Sequence, residues 1–218
     1  MMSEILSQFD LYTLLVVAHI TGTAIGVGGA TFSDILFFKS IEDGKISKQE
    51  FNLMHAGGMA IWGGLAILIL SGAGMVAYHY FVNDFFLLAT SEKIQAKLVI
   101  VGMILLNGLF LHLKIFPLFR KSLDQDVTKE LFVKHADIIF TSGAVSATSW
   151  YAAMTLGALG RISISLYIIL AFYFSVLILA IISAQIIGRI KIAQIRKKLG
   201  AEELKKTTPP PPSKTDSI

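Results

Sequence analysis

The sequence predicts an all-α integral membrane protein: a bundle of five transmembrane helices, N-terminus outside and C-terminus inside. Three observations carry that prediction. Of 218 residues, 16% are charged and 54% hydrophobic, whereas a soluble domain carries about 25% charged residues. Five apolar stretches are each long enough to cross a bilayer, which takes ~20 residues at a rise of about 1.5 Å. Basic residues also alternate between dense and sparse in successive connections, as the positive-inside rule requires.

The five stretches lie roughly at 11–38, 51–80, 94–118, 132–156 and 164–190. With five spans and an outside N-terminus, 16 of the 19 Lys and Arg residues fall inside. Only Lys93, Lys97 and Arg161 fall outside. An even number of spans spoils this alternation. The domain division that follows is a transmembrane unit at 1–190, a basic helical extension at 191–206 and a disordered Pro-rich tail at 207–218.

Each element has a local justification. The leader holds Glu4 and Asp10 but no Lys or Arg, so it does not read as a signal peptide, and the first span is expected to be retained. The second helix starts at Ser47 and Glu50, an S-x-x-E capping box. The run from Asp43 to Glu50 imitates half of a calcium loop. In that register Lys39 and Ile41 occupy ligand positions, and neither coordinates calcium. The third helix starts at Ser91 and Glu92, and Pro117 marks its inner end. Asn107 lies deep in it and must find a hydrogen-bond partner. In the fourth span Ser142, Ser146 and Ser149 share one face, a pattern that joins helices. The fifth span runs into the basic extension, which suits anionic lipid headgroups. Pro209 to Pro212 then stop any helix.

Several functions are excluded. The chain has no cysteine, so it has no disulfide, thiolate metal site or cysteine nucleophile. No Arg-rich stripe with interleaved aromatics appears, so nucleic acid is not an expected partner. The bilayer itself is. No Ser, His and Asp share a depth for a hydrolase triad, and no paired carboxylates lie in mid-membrane.

The residues with chemical potential centre on the first span. His19 is an ionisable group inside lipid, which is costly and therefore a functional candidate. Gly22, Gly26 and Gly29 lie within about 80° of it around the helix. These glycines suit close packing, within the chain or between copies of it. An imidazole at this position makes an interhelical hydrogen bond or ligates a haem or metal. Centring each span puts His19 ~7 Å and Lys97 ~13 Å to the outer side, with His112 ~9 Å to the inner side. Lys97 can therefore share a site with His19, and His112 cannot easily do so. Met54, His55 and Met59 suggest a copper site, because thioethers favour Cu(I).

Two stretches also carry a resemblance. AHITGTAIGVGGATFSDILFF (18–38) and EKIQAKLVIVGMILLNGLFLH (92–112) resemble the first and third helices of HemJ-type protoporphyrinogen oxidases, and the first is also similar to the opening helix of CopD and DUF2269-like membrane proteins. The shared features are a histidine followed about ten residues later by a small-residue step, and a Lys-Leu pair opening the third helix. The resemblance spans 11–118. It implies a haem cofactor, cofactor-binding roles for His19 and Lys97, and a multi-pass place in the cytoplasmic (inner) membrane. Three functions stay open at this point. They are a haem-binding oxidoreductase or redox helper, a copper or small-solute transporter, and a non-catalytic scaffold.

Overall fold

The computed structural model describes residues 10–42, 47–83, 90–121, 131–160 and 163–207. The described residues are almost entirely helical. The helices are α1 (Leu11–Glu42), α2 (Lys48–Asn83), α3 (Glu92–Phe110), α4 (Phe116–Lys121), α5 (Leu131–Ala158) and α6 (Leu166–Thr207). Four stretches are long and apolar enough to cross a membrane: Leu11–Ser40, Lys48–Val82, Glu92–Arg120 and Leu166–Lys197. The fourth of the five expected spans is α5, which is long enough but less apolar because of its hydroxyl-rich face. The Pro-rich tail beyond 207 and most of the expected calcium-like run lie outside the described residues.

Helix starts follow their local chemistry. Asp10 caps α1, its Oδ1 accepting from the Thr13 N–H at 2.7 Å. That bond holds the exposed Asp10 carboxyl below the usual carboxylate range. The cap therefore persists into mild acid and is lost as pH falls through the lowered value. The capping box forms as expected. The Glu50 N–H donates to Ser47 Oγ at 3.2 Å, and the Ser47 N–H donates to Glu50 Oε2 at 2.8 Å.

Neighbouring helices run antiparallel. α1 packs along α2 over most of its length, with close backbone approach at glycines. A Cβ built at Gly22 would lie 2.8 Å from both the Gly64 carbonyl oxygen and the Leu68 nitrogen. A Cβ at Gly29 would lie 2.7 Å from Ile61. α5 packs against α1, α3 and α6. Its Trp150 indole fills the space over Gly26, where a Cβ would lie 2.2 Å away. Phe140 in turn lies over Gly188 of α6.

Two apolar clusters form the core. One holds Leu65, Leu68, Ala96, Ile100, Ile104, Trp150 and Tyr173. The other lies toward the C-terminal end of α1 and holds Phe51, Met54, Ile115, Phe119, Ile139 and Phe140.

The third helix departs from expectation at Pro117. The helical path does not end there. It widens into a π turn over Leu111–Ile115 and continues through α4 to Lys121. Pro117 lacks an N–H and its ring crowds the preceding turn. One wide turn relieves that clash while the helix goes on.

The α3 start also organises the far end of the bundle. Lys93 donates to the Leu159 and Gly160 carbonyls at the C-terminal end of α5. Glu92 accepts from the Leu166 N–H at the start of α6. Each charge therefore meets the end of a helix dipole that it favours. The Ser91 hydroxyl makes no cap bond.

The glycine geometry predicts opposite outcomes for two neighbouring alanine substitutions. Gly22→Ala should destabilise the protein by about 1–3 kcal/mol, because backbone on both sides must move. Gly28 has nothing within 4 Å of its would-be Cβ. Gly28→Ala should be neutral or stabilising by up to about 1 kcal/mol. Unfolding midpoints in detergent micelles check both.

Candidate functional site

The site is built on the N-terminal half of α1 and the C-terminal half of α2. His19 points toward α2, where its Nδ1 lies 3.1 Å from Ser71 Oγ. The ring lies close over Gly72 of α2. A Cβ at Gly72 would lie 3.3 Å from His19 Cε1. Ser71 is buried, and its hydroxyl donates to the Ile67 carbonyl at 2.6 Å. The hydroxyl proton is thereby committed, so the oxygen can only accept from the ring. His19 therefore carries its proton on Nδ1. The lone pair then sits on Nε2, the ring nitrogen that does not meet Ser71, and the Leu68 backbone is a further hydrogen-bond partner of the ring.

Lys97 of α3 lies within electrostatic reach of His19. It is half-buried. The two residues expected to share a site are thus near enough to influence each other electrostatically. The structure does not bring His112 to them. His112 lies in the π turn and faces Phe116, with ring centroids 6.4 Å apart. His55 packs on the same Phe116 at 6.0 Å.

The expected copper residues are not gathered. Met54 is buried in the second apolar cluster, whereas His55 and Met59 are exposed. Among the described residues no group of three or more His, Asp or Glu side chains could hold a metal.

The glycines near His19 are occupied by protein. Gly22 and Gly29 are closed by α2, and Gly26 by Trp150. Their face packs helices and leaves no slot for a flat ligand along the α1–α2 seam.

The remaining polar groups of the bundle pair across helices. Asn107 donates to the Ser142 carbonyl at 3.0 Å. Ser149 and Tyr173 share a hydrogen bond at 2.8 Å. Gln185 donates to the Asp137 carbonyl and to Thr141 Oγ1, both at 2.7 Å. Sequence reasoning foresaw that Asn107 needs a partner and that the α5 hydroxyl face joins helices. It missed Ser71, whose only signal was a hydroxyl beside a glycine on an otherwise apolar face.

Comparison with known proteins gives no match: no family model, no curated protein and no solved structure is similar to the chain.

The geometry predicts a single tautomer. In nitrogen-15 NMR of the histidine-labelled protein, His19 should show a protonated Nδ1 and a bare Nε2. Ser71→Ala should give a mixture of tautomers. A wild-type His19 protonated on Nε2 contradicts the assignment.

Proposed function

We propose that the chain is a five-span protein of the cytoplasmic membrane, N-terminus outside, that binds haem in the outer half of its bundle. His19 is the axial ligand, through Nε2. Lys97 is the second ligand or the contact for an anionic group on the bound molecule. The observation that carries this reading is the Ser71 bond. Ligating histidines characteristically give their other ring N–H to a fixed acceptor, which sets the tautomer and the ring orientation. His19 has that arrangement, with Nε2 on the side away from Ser71.

Lys97 adds weight. A half-buried cation beside a histidine is a cost that helix packing alone does not explain. Because the glycine seam is filled, the ligand must lie on the α3 side of His19, toward Lys97. Bound haem supplies one-electron chemistry. The residues of this chain supply the ligand, its tautomer and a nearby positive charge.

The five-span topology draws support from the course of α5. It runs antiparallel to α1, α3 and α6 and makes contacts with each. One end of the bundle carries Lys39, Lys48, Lys114, Arg120, Lys134 and Arg189, and the other carries Lys93 and Lys97. The basic end is the inside end. The continuation of α6 past Arg189 lies along anionic headgroups there. The copper alternative has less support, because Met54 is turned away from His55 and Met59.

Protein purified from haem-replete cells should show a Soret band. His19→Ala should abolish it. Ser71→Ala should keep the fold but weaken haem affinity by about 10–100-fold. A colourless wild-type protein that takes up no added haem would falsify this reading.

A further inference from the structure

A second polar site lies toward the C-terminal end of α1 and is independent of His19. Asp34 is on the α1 face that meets α5. Its Oδ1 lies 3.8 Å from where a Cβ on Gly143 would be. The carboxyl thus lies within contact distance of α5 at Gly143, at a spacing that a Cβ would also allow. Asp34 is only partly exposed. Among the described residues it has no hydrogen bond and no ion pair.

Its neighbour Ser33 is equally unusual. Ser33 Oγ is buried and has no hydrogen-bond partner. It points toward Gly57 of α2, where a Cβ would lie 3.2 Å away. Most other hydroxyls on α1, including those of Thr21, Thr23, Thr31 and Ser40, donate to the carbonyl one turn back. The level of Asp34 is otherwise polar. The Asn107 amide bonds the Ser142 carbonyl beside Gly143. This layer lies between the two apolar clusters of the core.

A carboxylate at this position has neither a donor nor a cation to offset the loss of water. The neutral acid carries no such cost. A metal cation is a poor alternative ligand. Sodium or potassium needs several oxygens, and Ser33 turns toward α2 while Asp34 turns toward α5. The charged and titratable groups described at this end of the bundle include Lys39 and Glu42 on α1, Lys48, Glu50 and His55 on α2, His112 and Lys114 on the third helix, Arg120 and Lys121 on α4, Lys134, His135 and Asp137 on α5, and Arg189 and Lys191 on α6. None of them exerts a resolved electrostatic effect on Asp34.

We propose that Asp34 is a proton-exchange site: its carboxyl holds a proton within the bundle and trades it with water at the basic end. In the forward step the Asp34 O–H bond breaks, and the proton passes to a water molecule to give hydronium. The carboxylate left behind takes a proton back in the reverse step. Ser33, beside it in the chain, and Asn107, bonded to the Ser142 carbonyl next to Gly143, are polar groups of the same layer.

Dicyclohexylcarbodiimide tests this on the full chain in liposomes, because it reacts with protonated carboxyls in apolar surroundings. The adduct is located by peptide mass spectrometry. Asp34 should be labelled, the labelling should fade as pH rises, and sodium or potassium at constant ionic strength should not change it. Asp34→Asn should remove that adduct alone. No adduct at Asp34 at any pH overturns the proposal. So does an adduct that ignores pH, which means no exchange, or one blocked by sodium or potassium, which means a metal-ion site. Since wild-type protein carries the main readout, a misfolded variant does not obscure the result.

Discussion

Lipid offers no hydrogen bonds, so polar groups on apolar helices turn to their own helix's carbonyls or to another helix. The pairing between helices centres on α5. Its Ser149 meets Tyr173, its Ser142 carbonyl meets Asn107, and its Thr141 meets Gln185. Thr31 of α1 reaches Tyr151 at 3.0 Å. Helices α1, α3 and α6 are therefore gathered around α5. The small residues that make α5 less apolar are also what let its neighbours approach. Asp34 lies in contact with α5 at Gly143, and Trp150 of α5 projects over Gly26 of α1. Polar pairing and steric fit act together at the same positions.

The α1–α2 pair is held differently. Its seam is made of backbone meeting backbone at Gly22 and Gly64. Dispersion at close range is the main attraction available to such a seam, since lipid tails are as apolar as the side chains they replace. A polar bond across it is His19 to Ser71. That bond holds the ring by Nδ1 and leaves Nε2 on its other side. The same contact thus serves packing and, in the proposed function, orients a ligand.

Much of this was legible in the sequence, for physical reasons. Long apolar runs read clearly because the bilayer sets their length. The Ser47–Glu50 box was legible because its two bonds depend only on local spacing. The separation of His112 from His19 followed from rise per residue. Other features depend on three dimensions. Ser71 could not be singled out, since its role comes from which α2 residue lies opposite His19. The crossing of Pro117 was missed because a proline ends some helices and only widens others, and the tertiary contacts of Phe116 and Phe119 decide between them. Trp150 over Gly26 was equally hidden, as it joins positions 124 residues apart in the chain. Asp34 was visible as a residue, but its lack of any partner was not.

The account depends most on α5 lying within the membrane as the centre of the bundle. The absence of cysteine makes a direct measurement simple. Lys134→Cys and Ser163→Cys place single thiols at exposed positions near the two ends of α5. A membrane-impermeant maleimide is added to sealed, uniformly oriented vesicles, and again after they are opened. If α5 crosses, one thiol is labelled from outside and the other only after opening. Labelling of both from the same side would contradict the account.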